Sequence, residues 1–138
     1  MNYYNLGTYG RKITTGSAEA QLWFDRGLLW TYGYHHEEAI FCFEQALVHD
    51  ADCAMAHWGI AYAIGPNYNK PWEAFEPDEK HTAVALARKS LESAVARVSD
   101  VSPAERALIE ALVCRYPDNG DVEAYGPYND AYAAVMRA

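Results

Sequence analysis

The sequence predicts an all-α chain of antiparallel helical hairpins stacked side by side, and three observations carry that prediction. The run W-F-D-R-G-L-L-W, Trp23 to Trp30, places large side chains on one helical face around a glycine. The run H-H-E-E-A-I-F-C-F-E-Q-A-L, His35 to Leu47, carries a second face in which small and large groups alternate as Ala39, Phe43 and Ala46. Between and after these runs, Gly33-Tyr34 and Asp50-Ala51-Asp52 punctuate the pattern, and a third apolar run opens at Ala54.

The elements follow in order. Residues 1–16 are rich in Tyr, Gly, Asn and Thr and have no helical period, so they form an extended arm. Tyr3, Tyr4, Leu6 and Tyr9 are enough apolar surface to dock it along the first helix. Thr14, Thr15 and Ser17 are candidate N-caps for a helix starting near Ala18. The first hairpin spans about Ser17 to His49. A second begins at Cys53 or Ala54 and runs to Ile64, where Gly65-Pro66 stops it. Residues 65–78 form a Pro-punctuated loop carrying Tyr68, Trp72 and Phe75, long enough to be functional or packed by its own side chains. Helix resumes near Asp78 and continues to about Val98, with Ala87, Leu91 and Ala94 repeating the small-large-small order. Ser102-Pro103-Ala104-Glu105 is a capping box with proline in the first turn, starting a helix that ends near Arg115. A turn at Tyr116 to Gly120 precedes a last helix, from Pro127 or Asn129 to Ala138.

Trp23, Gly27, Trp30, Ala39, Phe43 and Ala46 together resemble the tetratricopeptide repeat, whose period is about 34 residues. One period further on, Gly27 maps to Ala61, Trp23 to His57 and Trp30 to Ile64. Arg26 stands where the family carries an aliphatic residue, and Ala51 where it carries proline. The resemblance implies a right-handed superhelix with repeat one at about 20–53, repeat two at about 54–99 with the inserted loop 65–78, and a partial third repeat at about 102–138. The stretch from about Arg11 to Asn69 and the segment A-E-R-A-L-I-E-A-L also resemble the N-terminal part of larger bacterial tetratricopeptide-repeat proteins of unassigned activity. Under that resemblance the end at Ala138 lacks a shielding helix. It then either continues in a longer protein or pairs with another chain through residues such as Val135 and Met136.

The resemblance also implies a function. In that family the first helix of each repeat lines a concave groove. The matching outward positions here are Gln21, Phe24, Leu28 and Thr31, then Met55, Trp58 and Tyr62. Such an aromatic groove is expected to bind a protein or peptide partner through a few anchors, with Tyr68 and Trp72 adding loop contacts. The alternative is that the arm or the loop fills the groove. The lysine and asparagine carriers with which the family grips C-terminal carboxylates are not visible at the matching positions, so that mode is not expected.

Composition narrows the classes. A 138-residue chain that is 51% hydrophobic and 22% charged supports one domain. A net charge of −8 with 11 scattered Lys and Arg argues against a nucleic-acid surface. The opening residues lack a signal-peptide pattern, and no stretch of 18 apolar residues occurs, so a cytoplasmic protein without membrane contact is expected. Three cysteines inside helical patterns suit reduced thiols. His49, Cys53 and His57 are a second candidate site, a zinc or copper(I) centre at the repeat junction, set against a structural role for the same side chains. His35-His36 and His81 near helix starts are read as solvated groups. No phosphate loop, Ser-His-Asp arrangement or H-E-x-x-H helix is present, which favours a non-catalytic protein.

Overall fold

A computed structural model of the chain describes residues 3–4, 6–7, 10–66, 70–117 and 126–137. Among them every regular element is helical: α1 (Ala18–Tyr32), α2 (His36–His49), α3 (Ala54–Ile64), α4 (Pro77–Val95), α5 (Pro103–Val113) and α6 (Gly126–Arg137). Single 3-10 turns lie at Trp72–Ala74 and Val98–Asp100. No described helix is long and apolar enough to cross a membrane.

Ser17 starts α1, its Oγ accepting the Ala20 amide at 3.1 Å and satisfying one of the free N–H groups of the first turn. The helix ends in a tight reversal. The amide of His35 donates to Trp30 O at 2.9 Å and that of Tyr34 to Thr31 O at 3.1 Å, the paired bonds of a Schellman turn. The left-handed residue there is Tyr34, at φ 61°, while the adjacent Gly33 keeps a negative φ. The chain then returns antiparallel. Trp30 meets His35 edge-on at 5.1 Å at one end of the hairpin, and Thr15 bonds Asp50 at 2.6 Å at the other.

The small residues explain the packing. Gly27 of α1 and Gly59 of α3 flank the ring of Phe43 of α2, so that a Cβ on either glycine would collide with it. Ala39, Ala46 and Ala61 are fully buried. Three backbones thereby converge on one aromatic side chain, whose full burial stabilises the fold by roughly 1.5–3 kcal/mol. Each helix from α1 to α6 packs on the next, and α1 touches α3 as α3 touches α5. α3 is the central helix, burying Ala54, Met55, Ala56, Trp58, Gly59, Ala61 and Ala63.

α5 and the residues just after it close over α3 through polar contacts as well as packing. Trp58 Nε1 donates to Leu108 O at 3.2 Å, and the buried Tyr116 hydroxyl donates to Ala61 O at 2.5 Å. α5 begins at the capping box expected for Ser102 and Glu105, with Glu105 N donating to Ser102 Oγ at 3.2 Å and Ser102 N to Glu105 Oε1 at 3.1 Å. α6 packs on α5 and buries none of its residues, leaving Val135 and Met136 exposed.

Candidate functional site

The expected groove residues lie in the interior. Phe24, Leu28, Thr31, Met55 and Trp58 are between 1% and 8% exposed, and Tyr62 is half-buried. Phe24 packs on Phe43 with ring centres 5.6 Å apart. Thr31 Oγ1 donates to Gly27 O at 2.8 Å, and Trp58 stacks on Tyr62 at 5.2 Å beneath α5. The expectation of an open aromatic groove at these positions is therefore corrected. The register placed them outward, but Phe24 packs against Phe43 of α2, Trp58 meets Leu108 of α5, and Leu28 and Met55 join the same core. Trp72 is corrected in the same way: it is buried, against Phe75 at 5.0 Å and Tyr116 at 5.9 Å, and presents no surface contact. Tyr68 lies outside the described residues.

The three Cys/His positions differ in their surroundings. Cys53 is buried just before α3, where burial pushes its thiol pKa up. The His57 ring, its pKa lowered by burial, has Nε2 3.2 Å from Ala51 O. His49 is exposed in the last turn of α2. Among the described residues no group of three or more His, Cys, Asp or Glu side chains is arranged to hold a metal ion. Of the helix-start histidines, His36 borders a cleft of about 420 Å³ that also takes in Ile64, Lys70 and Phe75. Within that cleft Lys70 pairs with Glu79 at 2.7 Å.

What the structure brings together instead is the arm and α1. Gln21 and Asp25 are one turn apart on the same face of α1 and together engage the arm's main chain. The Ile13 amide donates to Gln21 Oε1 at 3.0 Å, Gln21 Nε2 donates to Arg11 O at 2.8 Å, and the Arg11 amide donates to Asp25 Oδ1 at 2.9 Å. Gln21 Nε2 also donates to Asp25 Oδ1 at 3.0 Å, which fixes the carboxamide in this orientation. These side chains meet donors and acceptors that every peptide possesses, so the contact is indifferent to the bound sequence. Beside the arm a cleft of about 400 Å³ remains, bordered by Lys12, Ala18, Gln21 and Asp25.

The arm is anchored at both ends. Beyond Ile13, which is buried, Thr14 reaches α5: its amide donates to Glu105 Oε2 at 2.9 Å and its hydroxyl to Glu105 Oε1 at 2.5 Å. Glu105 is only 7% exposed. Burial raises the pKa of its carboxyl, but the hydrogen bonds from Thr14 and Ser102 outweigh burial and hold it below the usual value. At the other end Tyr3 docks on α1 and α2. Its hydroxyl donates to Glu38 Oε1 at 2.6 Å, accepts from Trp30 Nε1 at 2.7 Å and lies 3.2 Å from Cys42 Sγ. The Arg26 guanidinium lies 4.5 Å from the centres of both the Tyr3 and Trp23 rings. Burial and the contacts with Cys42 and Glu38 raise the phenol's pKa.

Sequence reasoning marked Gln21 as outward-facing and the arm's tyrosines as docking groups. It named Arg26 only as a departure from the repeat pattern and Glu105 only as a capping residue, and gave Asp25 and Glu38 no partner. The available signal was the Gln21/Asp25 pair at i,i+4 facing an arm with backbone to satisfy. Arg26, out of type for an aliphatic position, was another. The chain matches no protein-family model, and no curated protein or solved structure matches it either.

Proposed function

We propose that the chain is a non-catalytic helical-repeat scaffold of the tetratricopeptide type that binds extended polypeptide along α1, with its own arm as the resident ligand. The repeat assignment is supported by the small residues Gly27, Ala39, Ala46 and Ala61 at the close approaches, and by the contacts of α1 with α3 and of α3 with α5. The single observation that carries the binding assignment is the bidentate pairing of the Gln21 carboxamide with the backbone of Arg11 and Ile13. It is the side-chain equivalent of adding a strand to a sheet edge: main-chain hydrogen bonds give affinity, and pockets to either side add selectivity. A protein or peptide partner would enter by displacing the arm, so the arm sets the threshold affinity for any competitor.

The test uses the full chain with Ile13→Asp, which places a charge at a buried arm position and loosens the arm without altering α1. Titration with a synthetic peptide of residues 3–15 should give one-to-one binding by calorimetry. Adding Gln21→Ala should weaken it by roughly 30-fold, the equivalent of two hydrogen bonds at about 1 kcal/mol each. Absence of binding, or binding indifferent to Gln21, would remove the proposal.

A further inference from the structure

The docking point of Tyr3 is matched to a phenol at its hydroxyl as well as at its ring. Docking an aromatic ring needs only apolar walls, yet this socket supplies a partner for each role of a phenol. Glu38 Oε1 accepts its proton at 2.6 Å, and Trp30 Nε1 donates to its oxygen at 2.7 Å. Trp23 meets the ring edge-on at 5.1 Å, and the Arg26 guanidinium covers a face at 4.5 Å. A phenylalanine in this place would leave the Trp30 donor and a half-buried carboxylate without these bonds, so the socket discriminates tyrosine from phenylalanine by chemistry, not by shape.

We infer that this socket is a tyrosine-recognition site for polypeptide ligands, occupied in cis by Tyr3, and that a partner segment engaging α1 places a tyrosine side chain there. The inference rests on the reading of α1 as a peptide-binding face, and it names the partner's chemistry: an extended segment with a tyrosine roughly ten residues ahead of the stretch held by Gln21, as Tyr3 stands ahead of Ile13. Charge supports the assignment. The Glu38 carboxylate at the bottom of the socket opposes a carboxylate or phosphate in place of the hydroxyl, so neither an acidic side chain nor a phosphotyrosine fits as the phenol does.

The test vacates the socket in the full chain with Tyr3→Ala and uses p-cresol as the phenol probe and toluene as its counterpart without a hydroxyl. Quenching of tryptophan fluorescence reports binding beside Trp23 and Trp30, and circular dichroism confirms that the variant is folded. The expected result is saturable quenching by p-cresol, about tenfold stronger than by toluene, and about tenfold weaker in the native chain where Tyr3 competes. A synthetic peptide of residues 1–6 should bind the variant more tightly than p-cresol, and its Tyr3→Phe form should lose that advantage. Equal binding of toluene and p-cresol, or equal binding of p-cresol by native and variant chains, overturns the socket. Binding of p-cresol with no gain from the peptide overturns the polypeptide source and leaves a site for free phenols. If Tyr3→Ala does not fold, Tyr3→Phe in the native chain serves instead. It should release the Trp30 indole N–H, seen as a shift and faster exchange of that resonance, and an unchanged resonance overturns the socket. Failure here leaves the Gln21-dependent binding of the 3–15 peptide as a separate result, so failure of the socket is distinguishable from failure of the α1 reading.

Discussion

The Cδ1 atom of Phe43 lies 2.7 Å from the position a Cβ on Gly59 would occupy. The same ring blocks Gly27 from the other side, so one aromatic side chain is seated between two glycines on two different helices. Because Phe43 is fully buried, it has nowhere to retreat. Gly59→Ala should therefore destabilise the chain by about 1–3 kcal/mol even though alanine is the better helix former by about 1 kcal/mol. Urea unfolding measures this, and combining Gly59→Ala with Phe43→Leu should recover part of the loss by making room for the methyl group.

Tyr34 occupies the left-handed position of the Schellman turn between α1 and α2, a conformation that costs a non-glycine residue roughly 1–2 kcal/mol. Its ring is exposed and stands 6.2 Å from that of His36, so little packing is given up on removal. Tyr34→Gly should raise stability by about 0.5–1 kcal/mol, the relief of strain being partly offset by the greater freedom of glycine in the unfolded chain. A rise in the midpoint of thermal unfolding is the expected readout.

Glu105 ties the arm to α5 through Thr14, and its pKa is depressed in the folded state. A depressed carboxylate contributes stability that is complete above its unfolded pKa, near 4.5, and is lost as pH falls through the lower folded value. Glu105→Gln keeps an acceptor but removes the charge, and should cost about 1–2 kcal/mol at pH 7. The difference between native and variant chains should be flat above about pH 5 and shrink toward zero in more acidic solution.

The cysteines should separate by burial. Cys42 and Cys53 are buried, and burial pushes the Cys42 thiol up to about 11, while Cys114 is half-exposed. Only the thiolate alkylates readily. Iodoacetamide at pH 8 should label Cys114 alone in the native chain and all three thiols in urea, as read by mass spectrometry.

The helices were legible because their boundaries are written in local chemistry. Ser17 and the Ser102/Glu105 box mark starts, Gly65-Pro66 marks a stop, and the small-large-small order of Ala39, Phe43 and Ala46 specifies a buried face. The site was less legible, because exposure depends on what the rest of the chain does. Whether Trp58 faces solvent is decided by Leu108, whose carbonyl it meets across 50 residues of sequence. Thr14 and Thr15 have the chemistry of N-caps but are drawn to Glu105 and Asp50, partners that only the tertiary fold brings near. Arg26 departs from the aliphatic residue of the repeat pattern, and the structure supplies the reason: it covers the rings of Tyr3 and Trp23.

Residue-resolved amide exchange of the full chain tests most directly whether α1 binds an extended backbone. The amides of Arg11 and Ile13 donate to Asp25 and Gln21, and that of Thr14 to Glu105. All three should be protected in the native chain, and Gln21→Ala should release Ile13 while Thr14 stays protected. Exchange of Arg11 and Ile13 at the rates of a free peptide in the native chain would contradict the account, because α1 would then hold no backbone at all.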